Sequence, residues 1–147
     1  MAAKKRVLIL CTGNSCRSQM AEAILKQLRP DWEIYSAGTA PAERVHPKAV
    51  QVMREIGLDI SGAAPKHVDQ LADMPFDWVI TVCDSARQSC PVFTGRVSRQ
   101  LHLDFRDPAQ AAGTQEEILA VFRQVRDEIR REFAKLVERL GPEEGEA

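Results

Sequence analysis

The chain has 147 residues and a formal net charge of -1, with 44% hydrophobic and 28% charged residues. That length suits a single domain with one sizeable core, and the near-neutral balance gives no electrostatic footprint for nucleic acid. No apolar run reaches the length of a membrane span. The basic start, Met1-Ala-Ala-Lys-Lys-Arg6, lacks a signal-peptide segment because Cys11 and Gly13 interrupt the apolar run, so a cytoplasmic protein is expected. In that compartment the four cysteines are expected to be catalytic or redox-active rather than structural staples.

Val7 to Leu10 is a continuous apolar run, the pattern of a central parallel strand covered on both faces. From Ser18 to Leu28, Met20, Ala21, Ile24, Leu25 and Leu28 recur at helical spacing, and Pro30 closes the segment. Trp32 to Tyr35 alternates as a second strand and ends at Ser36-Ala-Gly38. Pro47 opens a second helix with Ala49, Val50, Val52, Met53 and Ile56 as its apolar stripe and Gly57 as its stop. A short helix is expected within 65–72, a strand over Asp77 to Val82 that delivers Cys83, and a weaker strand over Arg99 to Leu103. The last helix is predicted from Gln115 to Leu140. Ile118, Leu119, Phe122, Val125, Ile129, Phe133, Leu136 and Val137 form its core stripe, Gly141-Pro142 stops it, and 141–147 is expected to be a flexible tail. Strands alternating with helices imply a parallel sheet with helices on both faces and a ligand beyond the carboxyl ends of the strands. Cys11, Cys83 and the loop of Asp107 all follow predicted strands, so they are expected at one edge of the sheet.

The stretch Cys11-Thr-Gly-Asn-Ser-Cys-Arg17-Ser18 joins the first strand to the first helix. Inward backbone N–H groups of Thr12, Gly13, Asn14, Ser15, Cys16, Arg17 and Ser18 would form an anion site with the helix N-terminus. The same field favours the thiolate of Cys11, and the Arg17 guanidinium can hold a tetrahedral oxyanion bidentately. Asn14 is expected to hold the loop shape through side-chain hydrogen bonds, and its residue type tolerates a left-handed backbone. Ser18 is expected to cap the helix and donate to Cys11, and Cys16 to point away from the anion. Asp107-Pro108 offers an acid on a stiffened loop, able to protonate a departing oxygen; Asp104 is the rival without a proline. Cys83 and Cys90 could be a second thiol pair or buried apolar fillers. His46, His67 and His102 match no metal spacing, so surface or capping roles are expected and no metal is.

Cys-x5-Arg-Ser at this position resembles the phosphate loop of the low-molecular-weight phosphatases. The order Cys-Thr-Gly-Asn-Ser-Cys-Arg-Ser-Gln-Met-Ala-Glu, Ser-Ala-Gly, Cys-x6-Cys-Pro, then Asp-Pro-Ala looks like the thioredoxin-coupled arsenate reductases of that fold over most of the chain. The resemblance implies a three-layer α/β/α fold with a four-stranded parallel sheet. It implies arsenate as substrate, phosphate or sulfate as competing oxyanions, and thioredoxin as electron donor to a monomer with no bound cofactor. It further implies a relay. Cys11 attacks arsenic, Asp107 protonates the departing hydroxide, Cys83 attacks Cys11, and Cys90 resolves the result to a Cys83–Cys90 disulfide. Some relatives hold a monovalent cation at positions like Asn14, Glu22 and Ser36, but here Lys66 falls about where an acidic partner would be needed.

The alternative is a low-molecular-weight phosphatase acting on phosphotyrosine or small phosphoesters through Cys11, Arg17 and Asp107. Against phosphotyrosine, no aromatic follows Gly38 or Pro108 to border a ring. A non-catalytic oxyanion-binding or redox-sensing module would not need Asp107. If residues 83–90 were helical, the two sulfurs' Cα atoms would lie about 10 Å apart, too far for a disulfide. The segment is therefore expected to be looped or to change order on oxidation.

Overall fold

The structure is a computed structural model; it describes residues 5–84 and 90–145, with side chains as far as 139. Four strands, β1 (Arg6–Cys11), β2 (Glu33–Gly38), β3 (Phe76–Thr81) and β4 (Val97–His102), form one sheet in the order β2-β1-β3-β4. All three pairings are parallel, and β1 holds the centre with Leu10 opposite Ala37 on one side and Thr81 on the other. The strand order reverses at β1, because the chain leaves β1 for β2 and returns to its other side as β3. Ligands bind beyond the carboxyl ends of strands at such a point.

Both faces of β1 are covered, as its continuous apolar run requires. Val7, Ile9 and Cys11 point into the larger core with Met20, Leu25, Val52, Met53, Phe122, Ile129 and Phe133. These come from the three long helices, α1 (Arg17–Leu28), α2 (Pro47–Arg54) and α3 (Gln115–Gly145). Leu8 and Leu10 point the other way, against Leu71, Val79 and Phe93. A short 3₁₀ helix over Val68–Leu71 occupies that second face, shorter than the helix expected for 65–72.

Local chemistry explains the helix ends. His46 caps α2 by accepting from the Lys48 N–H, and Pro47 fills the first turn, where its missing N–H is no loss. Gly57 takes φ +81. Its N–H bonds to the Arg54 carbonyl and the Leu58 N–H to that of Met53, which closes the helix in a Schellman turn. Helix α3 starts with a reciprocal cap: Glu117 N–H donates to Thr114 Oγ1 and Thr114 N–H to Glu117 Oε1. It continues to Gly145, past the Gly141-Pro142 stop expected from the sequence. A proline so near the end removes a single i→i−4 bond in the last turns. Residues 141–145 are thus helical rather than tail; 146 and 147 lie outside the described residues. Among the described residues no helix is long and apolar enough to cross a membrane.

Candidate active site

The loop from Thr12 to Cys16 lies between the end of β1 and the start of α1, at the carboxyl edge of the sheet. Its carbonyls are turned outward: Thr12, Gly13 and Ser15 accept from the N–H groups of Ala40, Ala42 and His46. A trans peptide sets its N–H opposite its C=O, so the N–H groups of Gly13, Asn14 and Cys16 turn inward. That of Asn14 reaches the Cys11 Sγ at 3.2 Å. Gly38 makes this seating possible, since a Cβ there would collide with the Thr12 carbonyl. The sequence placed a glycine turn at this point without revealing that backbone approach.

Asn14 is the keystone of the loop. It is fully buried and takes φ +50, the left-handed conformation that its residue type tolerates. Its Nδ2 donates to Ser18 Oγ (2.7 Å) and Ser36 Oγ (2.9 Å), while its Oδ1 accepts from Lys66 N (3.0 Å) and Gln19 Nε2 (3.2 Å). Ser18 Oγ in turn lies 3.0 Å from Cys11 Sγ, the contact expected from the sequence. Ser18 is not the helix cap, however. Helix α1 begins at Arg17, and its N-cap is Cys16, with no side-chain hydrogen bond to the first turn. The dipole and the first-turn N–H groups therefore face the cavity directly. Glu22, the third residue of the implied cation set, takes Ser36 Oγ on one oxygen and Lys26 Nζ on the other.

Arg17 and Asp107 complete the site. Arg17 is 4% exposed; its Nη1 donates to the Phe105 carbonyl at 3.2 Å, and its Nη2 lies 3.6 Å from Asp107 Oδ2. Phe105, stacked on Phe133 of α3, anchors the segment that carries Asp107. The Asp107 Oδ1 accepts from the Ala109 N–H as Pro108 begins a short 3₁₀ turn. That proline orients the aspartate over the loop, as its position in the sequence suggested. Cys16 departs from expectation. Rather than pointing away, its Sγ lies 3.6 Å from Asp107 Oδ1. Burial, then the Asp107 charge, raises its thiol to about 12, so at neutral pH it stays protonated.

These groups enclose a cavity of about 320 Å³ lined by the loop 11–17 with Asp107, Ala109 and Gln110. Among the described residues no aromatic side chain lines it, in keeping with the small residues after Pro108. A larger groove of about 590 Å³ between α1 and α3 is lined by Leu28, Arg126, Arg130 and neighbours and holds no nucleophile. The chemistry is in the smaller cavity, where a thiol, backbone donors, a guanidinium and a carboxylate come together.

Cys83 and Cys90 lie beyond the carboxyl end of β3, the strand next to β1. The Val82 N–H bonds to the Leu10 carbonyl, so Cys11 and Cys83 come off neighbouring strands. Cys83 is fully buried and disulfide-bonded to Cys90, with Cα atoms 5.8 Å apart. That separation excludes the ~10 Å of a helical path. The expected change of order falls on residues 85–89, which lie outside the described residues. Cys11 and Cys16 are free thiols. Among the histidines, His46 and His67 cap helices, as expected. His102 does something the sequence spacing hid: a ring nitrogen lies within 4.8 Å of both Cys83 and Cys90 sulfurs. Thr81 and His102 are register partners in β3 and β4, a neighbourhood visible only once the strands pair.

Comparison with known proteins matches this arrangement. A Halalkalibacterium halodurans protein named arsenate reductase is 50% identical over 127 residues, 86% of this chain and 90% of its own. The solved structure of an arsenate reductase in the phosphate binding state superposes with a TM-score of 0.76 and 30% identity, covering 92% of this chain and 98% of that one. A Corynebacterium glutamicum thioredoxin-dependent arsenate reductase aligns at 27% identity and a TM-score of 0.56, over 89% of this chain and 62% of that one. The family of low molecular weight phosphotyrosine protein phosphatases matches residues 6–145. With its phosphate loop, its sheet order and these relatives, the chain belongs to that family.

Proposed function

We propose that this chain is a single-domain, monomeric arsenate reductase whose three cysteines pass two electrons to arsenic. The observation that carries the reading is the second sulfur pair, Cys83–Cys90, which begins two residues past the end of the strand beside the one that ends at Cys11. A phosphatase loop alone has no use for it.

In this reading arsenate lies against the N–H groups of Thr12 to Ser18 and the Arg17 guanidinium. The Cys11 thiolate forms a sulfur–arsenic bond as one hydroxide leaves and is protonated by Asp107. Cys83 then attacks Cys11 Sγ. The sulfur–arsenic bond breaks with its electron pair going to arsenic, arsenite departs, and a Cys11–Cys83 disulfide remains. Cys90 attacks Cys83, releases Cys11 as thiolate and leaves Cys83–Cys90. A dithiol donor, thioredoxin, reduces that disulfide, which places the cycle in a reducing compartment such as the cytoplasm. The two free thiols and one disulfide of the structure correspond to the last stage of this sequence.

Ser18 positions and hydrogen-bonds the Cys11 sulfur, and phosphate or sulfate competes for the same donors. The test is arsenite release with thioredoxin, its reductase and NADPH. Cys83→Ser and Cys90→Ser should lose multiple turnover while retaining slow cleavage of p-nitrophenyl phosphate. Full arsenate turnover by Cys83→Ser rejects the relay.

A further inference from the structure

The disulfide end of the molecule has an acid–base group of its own. His102 closes β4, and its Nε2 lies 2.7 Å from Asp104 Oδ1 while its Nδ1 lies 2.6 Å from Thr81 Oγ1. One ring nitrogen is within 4.8 Å of both sulfurs. Cys90, Thr81 and His102 share a cavity of about 310 Å³ that is separate from the oxyanion cavity; among the described residues its other lining side chains, Pro91, Val92, Gln100 and Leu101, carry no charge. Both ring nitrogens are engaged, by Asp104 and by the Thr81 hydroxyl, and the sulfurs lie just beyond direct hydrogen-bond reach. A proton therefore passes between ring and sulfur through the Thr81 hydroxyl or one water, with the imidazole oriented by the carboxylate.

We propose that His102, held by Asp104, is the proton donor and acceptor for the Cys83/Cys90 pair. The proposal rests on the reading that this disulfide is re-reduced in each cycle. Cys90 lines the open cavity and is the sulfur a dithiol reductant reaches, whereas Cys83 is fully buried. The reductant's thiolate bonds to Cys90 Sγ, the Cys83–Cys90 bond breaks, and Cys83 takes the electron pair. A bare thiolate there has no water to solvate it, and a leaving thiol departs faster when its charge is stabilised. The His102 imidazolium supplies the proton. The reductant's second thiol then breaks the mixed disulfide, frees Cys90 as thiol and leaves the reductant as a disulfide, two electrons poorer. In the forward relay the neutral imidazole takes the Cys90 proton as that sulfur attacks Cys83. Among the described residues Asp104 is the charged group in contact with His102, and from β3 the ring meets the uncharged Thr81.

The test needs no arsenate, so it fails independently of the arsenate reading, which is scored by arsenite release from the unaltered chain. The oxidised full chain is reduced by dithiothreitol and by thioredoxin across pH ~5 to ~8, the range in which histidine changes charge, with free thiols alkylated and counted by mass. His102→Gln should be slower by about 10–100-fold at the acid end, toward the lower side of general acid–base effects. Its rate should converge on that of the unaltered chain toward the alkaline end of the range. Asp104→Asn, which keeps the ring, should fall between the two. A His102→Gln rate equal to that of the unaltered chain throughout, or slower by one constant factor at every pH, overturns the proposal.

Discussion

Replacing Asn14 by alanine tests how the oxyanion loop is held. The substitution removes four side-chain hydrogen bonds at a fully buried position, to Ser18, Ser36, Lys66 and Gln19. At about 0.5–1.5 kcal/mol net for each bond, the simple sum is about 2–6 kcal/mol. The four bonds share one network, so their effects are not additive. Alanine at φ +50 adds about 1 kcal/mol of backbone strain. A loss of about 3–5 kcal/mol is expected, which for a chain of this size lowers the melting temperature by roughly 10 °C. Urea unfolding at neutral pH measures it. Asn14→Gly separates the two causes, because glycine accepts the left-handed backbone and should recover about 1 kcal/mol relative to alanine. Arsenate turnover should fall with both variants, since Asn14 positions Ser18 against the Cys11 sulfur. Unfolding of Asn14→Ala within about 1 kcal/mol of the unaltered chain, or a glycine variant no more stable than the alanine one, would refute the reasoning.

Asp107→Asn keeps an acceptor for the Ala109 N–H but no proton to give. Its turnover should fall by about 10²–10⁴, while phosphate still competes for the loop with little change in affinity, as inhibition kinetics can show. Burial first, then the Lys48 charge, holds His46 below its ordinary value of 6.5. The folded chain therefore resists protonation more than the unfolded chain. The stability contributed by neutral His46 is full above about pH 6.5 and is lost as pH falls through the lowered folded value. His46→Asn keeps a capping acceptor without this titration, so its urea midpoint should drop less between about pH 7 and pH 5. Cys16→Ala removes the thiol beside Asp107 and should leave p-nitrophenyl phosphate cleavage within about threefold, since the relay does not use it; a loss comparable to that of Asp107→Asn would make Cys16 part of the machinery.

The parts of the fold that were legible in the sequence are those whose signal is local. The apolar run before Cys11, the Gly57 stop and the Thr-Gly-Asn-Ser loop each carry their own backbone preference, and β1, the end of α2 and the left-handed Asn14 followed. The turn that carries Asp107 was legible for the same reason, since Pro108 opens it from the next position. What the sequence hid depends on contacts across the chain. Cys16 meets Asp107, 91 positions away, only because Phe105 is anchored on α3. His102 reaches the sulfur pair only through the pairing of β3 with β4. Ser18 resembled a cap by residue type, but the helix had already begun at Arg17, and its hydroxyl turned to the sulfur instead. The end of α3 lies beyond the Gly141-Pro142 pair that normally stops a helix, because the remaining turns tolerate it.

The central claim, that Cys11 is the first thiol of a relay ending at Cys83 and Cys90, is tested most directly by a single turnover. The fully reduced chain is mixed with arsenate without any reductant, quenched with an alkylating reagent, and analysed for arsenite and for disulfide-linked peptides. The account predicts one arsenite per chain, with Cys83 and Cys90 joined and Cys11 alkylated. Arsenite formed in that yield with Cys83 and Cys90 both still alkylated as free thiols would contradict it.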